Sequence, residues 1–143
     1  MVSSRRLRAK GMSNTTGRLA ARDSFVGSWR VVEMEMWERN DIDEQGPARI
    51  QFNRDGTGEL RFLLVQGGID CRFQMRDGRA FVEFSWSGFS EMDETCGRGR
   101  AELESDSRLK GRVFFHLGDD SAFAAVRQRT AHHRQERGRR LHK

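Results

Sequence analysis

Short runs of alternating apolar and polar residues fill the middle of the chain, and turn signals separate them roughly every 10 to 14 residues. In residues 69–76, for example, every second residue is apolar. A side-chain period of two places such residues on one face of a β-strand. The dipeptides at 55–56 and 77–78 are Asp-Gly, which tolerates positive φ and is the strongest short hairpin signal. The pattern predicts an all-β fold built from hairpins.

Eight such runs fit between residues 23 and 128. They lie at 28–37, 48–53, 59–65, 69–76, 80–86, 97–104, 109–117 and 121–128. Consecutive hairpins without crossover connections form an antiparallel meander, and closure of eight strands removes both exposed edges. We therefore expect an eight-stranded antiparallel up-and-down β-barrel.

The formal net charge of +5 first suggests a nucleic-acid partner, but the charge is unevenly distributed. Residues 1–22 carry six basic and no acidic side chains, and residues 129–143 carry a net +5. Residues 23–128 carry a net −6. Both terminal segments are polar with isolated apolar residues, so we expect two disordered basic tails around one acidic barrel domain.

The connections between the expected strands distinguish the two ends of the barrel. In a meander, alternate connections lie at the same end. Those after the first, third, fifth and seventh strands are the longer ones, so this end should be the open mouth, with both chain termini at the opposite base. The mouth would collect most loop carboxylates: Asp41, Asp43, Glu44, Asp70, Glu91, Asp93, Glu94, Asp119 and Asp120.

A Gly-x-Trp motif, Gly27-Ser28-Trp29, opens the first strand, and Arg127 ends the last. The motif resembles the opening signature of lipocalins and the wider calycin group, in which an arginine of the last strand packs across this tryptophan. The resemblance implies a calycin-like barrel with Trp29 and Arg127 at its closed end, in a cation–π contact. Residues 70–73, 83–86 and 115–121 also resemble a group of small bacterial proteins, and that likeness implies no function.

An eight-stranded barrel is just wide enough to be filled by side chains or to hold one small ligand. The side chains that we expect to line the interior and the mouth are Met34, Met36, Trp37, Phe62, Cys71, Phe73, Phe84, Trp86 and His116. They form either an apolar pocket or a packed core. As a function we expect non-enzymatic binding of a small apolar molecule at the mouth, with a solid barrel as the alternative.

Three other functions stay open. The mouth carboxylates could hold a cation, although no EF-hand spacing is present. Asp119, Ser121 and His116 could belong to a lipocalin-like enzyme, although no nucleophile elbow is visible and a turn explains the same residues. The basic tails could bind nucleic acid or another polyanion weakly through counterion release. We expect no cofactor and no metal site.

Cysteine usage and hydropathy bear on the compartment. No stretch approaches the roughly 20 apolar residues of a membrane span, and no apolar signal segment follows the N-terminal arginines. Cys71 and Cys96 lie in a chain without a disulfide framework, so we expect a cytoplasmic protein with two buried thiols. Two cysteines with one nearby histidine are too few for a zinc site.

Overall fold

The computed structural model describes residues 15–128 and shows eight antiparallel strands in chain order, with the last strand paired to the first. Residues 15–25 form a helix, α1. The other elements are β1 (Gly27–Met34), α2 (Arg39–Ile42), β2 (Arg49–Phe52), β3 (Thr57–Phe62), β4 (Val65–Arg76), β5 (Arg79–Ser90), β6 (Asp93–Ser105), β7 (Arg108–Phe115) and β8 (Asp120–Gln128). The expected eight-stranded closed meander is confirmed. The tails expected over 1–14 and 129–143 lie outside the described residues.

Strands β4, β5 and β6 are longer at the mouth end than the sequence predicts. Residues 66–68 and most of 87–96, expected as long loops, are paired strand joined by two-residue turns. Gly67 and Gly88 face each other across β4 and β5, and a Cβ on Gly88 would lie 2.5 Å from the Gly67 Cα. Glycines that suggest a loop here allow a close approach of two strands instead. The prediction that the mouth connections are longer than the base turns was wrong for these two, and within residues 15–128 the one long connection is 35–48.

Large side chains of β5 pack over small residues of β6. Trp86 lies opposite Gly97, and Phe84 lies opposite Gly99. A Cβ on Gly99 would lie 2.3 Å from the Phe84 ring, and one on Gly97 would lie 2.9 Å from the Trp86 ring. The two rings therefore occupy the space that larger β6 side chains would take, which is how the barrel accommodates bulky residues.

A bulge in β1 shifts the alternation that the sequence predicts. The pairing of β1 with β8 slips between Val31 and Glu33. Val31 is buried in the interior, although the alternation placed Val32 there. Met34 is also buried, but Met36, expected in the interior, is 50% exposed. Regular alternation misplaces these residues because a bulge adds one residue to one strand.

Helix α1 closes the base of the barrel. Gly17, Ala21 and Phe25 are spaced by four and so lie on one face of the helix. Ala21 and Phe25 are fully buried, and the Phe25 ring centre lies 5.6 Å from that of Phe52 and 6.1 Å from that of Phe73. The expectation of disorder over 1–22 was therefore wrong for 15–22. The polar composition of this segment suggested disorder because the buried face of α1 is built mostly from small side chains.

Arg127 joins helix α1 to the barrel wall. Its guanidinium lies 4.2 Å from the centre of the Trp29 indole, and that tryptophan is fully buried. The same guanidinium donates hydrogen bonds to the carbonyls of Ser24, Val26 and Asp106. The expected contact between the first and last strands is therefore present, and it also holds the C-terminal end of α1.

Candidate functional site at the mouth

Four aromatic rings fill the mouth of the barrel. Trp37, Phe62, Trp86 and Phe115 contact one another with ring centres between 5.2 and 6.3 Å apart. Most of these pairs meet edge to face, which is a favoured geometry for aromatic rings. We call this group the mouth cluster. It separates the interior from the mouth surface.

The long connection 35–48 lies over one side of the mouth and carries Trp37. Its Ile42 is 2% exposed, and the Ile42 carbonyl accepts a hydrogen bond of 2.9 Å from the Leu63 N–H. The Arg61 guanidinium donates to the Pro47 carbonyl from β3. These contacts seat the connection against the turn between β3 and β4.

An ion pair fixes the same connection to β1. The two oxygens of Asp43 accept from the two terminal nitrogens of Arg30, at 2.8 and 2.6 Å. Asp43 also accepts from the Ala48 N–H at 2.9 Å. The hydrogen bond from Arg30 is the main reason that the pKa of Asp43 is lowered to about 2. This carboxylate therefore serves the fold and is not available to a ligand.

The interior below the mouth cluster is packed. A cavity there, lined mostly by nonpolar side chains such as Met34 and Phe84, has a volume of about 20 Å³. That is space for about one water molecule, whereas small-molecule pockets measure roughly 300 Å³ or more. No ligand of that size fits inside the barrel as folded, so this interior corresponds to the packed-core alternative.

The residues expected to form one site separate into groups. Trp37, Phe62 and Trp86 meet in the mouth cluster. Phe73 packs with Phe25 and Phe52 near the base, and Cys71 is buried in the wall. Met36 and His116 are exposed on the outside of the barrel.

Sequence reasoning missed two aromatic residues that organise the ends. Phe115 lies in the mouth cluster, and Phe25 fills the base. Strand 109–117 carries aromatic residues on both faces, and alternation from the buried Val113 identifies Phe115 as the inward one. The four-residue spacing of Gly17, Ala21 and Phe25 was the available signal for the helix.

Apolar side chains project into solvent around the mouth. Leu117 is 94% exposed, Met92 93%, Phe89 51% and Met36 50%. We call these four residues the mouth rim. Leu117 also has a φ of +55°, in the left-handed region that a branched apolar residue seldom adopts.

Each of the three short turns at the mouth contains a residue other than glycine at positive φ. Leu63, Glu91 and Leu117 have φ values of +54°, +56° and +55°. Of the base turns with the predicted Asp-Gly pairs, 55–56 has Gly56 at positive φ, and 77–78 has both Asp77, at a φ of +50°, and Gly78 there. Aspartate and glycine adopt this region more readily than leucine and glutamate, so backbone strain on the order of 1 kcal/mol per residue falls mainly on the mouth turns.

The mouth is acidic, although with a different set of residues from the predicted one. Asp43 pairs with Arg30, Asp120 pairs with Arg112, and Asp70 lies midway along β4. Within residues 15–128, the remaining exposed mouth carboxylates have no basic side chain within 4 Å. They are Glu38, Asp41, Glu44, Glu91, Asp93, Glu94 and Asp119.

Asp119, Ser121 and His116 do not form a catalytic site. Ser121 is fully buried, and its hydroxyl donates to the Ala122 carbonyl at 2.9 Å while accepting from the Met36 N–H at 3.1 Å. His116 is exposed, and its backbone N–H donates to the Cys96 carbonyl. Ser121 is therefore not placed for nucleophilic attack. Across 15–128, no group of three or more His, Cys, Asp or Glu side chains is arranged to hold a metal ion.

Both cysteines are free thiols in different surroundings. Cys71 is buried, and burial together with the charges of Asp70 and Asp55 raises the pKa of its thiol to about 12. Cys96 is exposed, so the expectation of two buried thiols was wrong for this residue. It lies opposite Ser87 on the outward face of the β5–β6 hairpin, where side chains meet solvent.

Comparison with protein-family models, curated proteins and solved structures gives no match for this chain. None of the helices within residues 15–128 has the length and apolarity that a membrane crossing requires.

Proposed function

We propose that this chain is a non-enzymatic, calycin-like binding protein whose binding surface is the mouth rim. The ligand combines an apolar group with positive charge. It binds on the mouth rather than inside the barrel, because the interior is packed and the cavity among its nonpolar side chains measures about 20 Å³. The Gly-x-Trp motif and the stacking of Arg127 on Trp29 support the calycin-like assignment, and a cytoplasmic location is part of the same proposal.

The conformation and exposure of Leu117 are the main support for this proposal. Its side chain is 94% exposed, and its backbone has a φ of +55°. A glycine at this position would relieve strain on the order of 1 kcal/mol and would remove an apolar side chain from water. Contact with a ligand gives a physical reason for a residue that costs stability in the free protein. Met92 is similar, since it is 93% exposed beside the left-handed Glu91.

The charge of the ligand follows from the surroundings of the rim. Seven exposed carboxylates with no basic side chain within 4 Å in the described chain lie on the same connections and turns as these apolar side chains, and they outnumber the exposed Arg39 there. Such a surface attracts cations and repels fatty acids and other anionic amphiphiles. A cationic amphiphile therefore fits the mouth better than the small apolar molecule that the sequence suggests.

Methionine methyl NMR tests the proposal directly. The full chain, labelled with ¹³C on the methionine methyl groups, is titrated with dodecyltrimethylammonium below its micelle-forming concentration. The methyl resonances of Met36 and Met92 are expected to shift. Those of Met34, in the interior, and Met75, at the base, serve as controls within the same molecule and should stay in place.

Two comparisons separate the parts of the proposal. Octyl glucoside supplies the apolar chain without charge, and tetramethylammonium supplies the charge without the chain, so each should bind more weakly. The L117G variant should weaken binding and leave the fold intact. A shift of the Met34 resonance without Met92 would place the ligand inside the barrel and contradict a rim site. Equal shifts at Met75 and Met92 would indicate non-specific binding and would also contradict it.

A further inference from the structure

We infer that the mouth rim binds residues 1–14 of a second copy of this chain. This inference rests on the proposed binding surface and names a protein segment as its occupant. Residues 1–14 contain four basic and no acidic side chains. They also contain the apolar residues Val2, Leu7 and Met12. A segment of this composition supplies positive charge opposite the mouth carboxylates and apolar side chains that can contact the mouth rim.

The mouth and residues 1–14 carry opposite charges. The mouth presents seven exposed carboxylates with no basic side chain within 4 Å in the described chain, while the segment presents Arg5, Arg6, Arg8 and Lys10. Attraction between exposed charges steers association and weakens as salt screens it, with a Debye length of about 10 Å at 0.1 M. The contact is therefore strongest at low ionic strength.

The position of helix α1 favours a second copy over the same chain. The helix begins at the base, where a Cβ on Gly17 would lie 3.3 Å from the Met75 side chain. Residue 15, to which this segment is joined, therefore lies at the end opposite the mouth. Fully extended, 14 residues span at most about 50 Å, which is enough to reach the mouth of a neighbouring barrel.

Such a contact has a consequence for assembly. The base of one copy contacts the mouth of the next, so the two contacting surfaces differ and the interface is heterologous. Interfaces of this type build rings when the rotation closes and open chains when it does not. The mass in solution should therefore rise with protein concentration above the 16.5 kDa of a single chain.

Sedimentation equilibrium of the full chain measures this mass at several concentrations and salt levels. At about 0.02 M salt we expect the weight-average mass to rise with protein concentration. At about 0.5 M salt it should return towards the single-chain value, because the Debye length becomes shorter as ionic strength rises. A tail-reversed variant, R5E/R6E/R8E/K10E, should lose the association. A mouth-reversed variant, E91K/E94K/D119K, should lose it as well.

Combining the two reversed sets provides the specific readout. The variant that carries both should associate again, because the charges are exchanged between the two surfaces. D70K is the matched control for D119K, since both aspartates are exposed and neither has a basic side chain within 4 Å in the described chain, but Asp70 lies midway along β4, away from both ends of the barrel. D70K should leave the mass unchanged. L117G should weaken association without altering any charge.

Three results would overturn the inference. The first is a single-chain mass under every condition. The second is association that persists in the tail-reversed variant, which would assign the contact to other residues. The third is a single-chain mass together with Met92 methyl shifts that differ between wild type and the tail-reversed variant, which would place the segment on its own mouth. If the tail-reversed chain still binds dodecyltrimethylammonium at Met92, the proposed function stands independently of this outcome.

Discussion

Replacing Arg127 with methionine removes the guanidinium that joins helix α1, the turn between β6 and β7, and the first strand. Methionine keeps much of the aliphatic stem, so the change isolates the loss of the planar cation. The guanidinium donates to the Val26 carbonyl at 3.0 Å and to the Asp106 carbonyl at 2.9 Å, and it also donates to Ser24. It lies 4.2 Å from the centre of the Trp29 ring.

The expected loss of stability follows from these contacts. A hydrogen bond from a charged donor contributes roughly 1.5–3 kcal/mol when buried, and a cation–π contact contributes roughly 0.5–2 kcal/mol. Arg127 is only partly buried, so water replaces some of the lost bonds. We therefore expect R127M to lower the free energy of unfolding by about 3 kcal/mol. R127K keeps the charge but not the planar fork, so it should recover less than half of this loss.

Urea unfolding at pH 7, followed by tryptophan fluorescence and circular dichroism, measures the change. Hydrogen exchange of the Trp29 indole N–H, which donates to the Phe25 carbonyl at 2.9 Å, reports whether α1 stays docked. R49M is the control, because within residues 15–128 the one ion pair of the Arg49 side chain is a solvent-exposed pair with Glu59. If R127M matches R49M to within about 0.5 kcal/mol and indole exchange is unchanged, Arg127 does not hold the base.

Three further predictions concern the packing, the ion pair and the thiols. G99A should destabilise the barrel by about 2 kcal/mol or more in urea unfolding, because the added methyl group overlaps an aromatic ring; a change below about 0.5 kcal/mol would show that the ring moves freely. Because its partner Arg30 holds the pKa of Asp43 near 2, below the unfolded value near 4, the pair stabilises the fold above pH 4, and this contribution is lost as the pH falls towards 2. D43N should therefore be about 2 kcal/mol less stable than wild type at pH 7 and close to it near pH 2, as measured by unfolding across this range; a constant difference would contradict the assigned pKa. At pH 8, iodoacetamide should modify Cys96 quickly and Cys71 only after denaturation, as peptide mass spectrometry would show, since burial raises the pKa of Cys71 to about 12; equal labelling rates would contradict its burial.

The strand pattern was predictable because it is local. Alternation and the Asp-Gly turns identify all eight strands, and the order of hairpins predicts the closed meander that the structure shows. Glycine-rich segments were the exception. Gly67 and Gly88 suggested loops, but they pair across two strands because neither carries a Cβ. Whether a glycine ends a strand or permits a close approach depends on the facing residue.

The candidate site was predictable only in part. Trp37, Phe62 and Trp86 were expected at the mouth and meet there. Their packing with Phe115 leaves no room for the interior ligand that their composition suggests. Volume is a property of all the side chains together, and no single strand pattern contains it.

The sequence by itself determined the number, order and pairing of the strands and the separation of acidic and basic charge, because periodicity, turn chemistry and charge are written residue by residue. The tertiary structure decided which carboxylates remain unpaired, that helix α1 closes the base, and that apolar side chains project from the mouth. These properties depend on which distant residues come into contact. Asp43 and Leu117 show the difference, since one becomes part of the fold through Arg30 and the other remains 94% exposed.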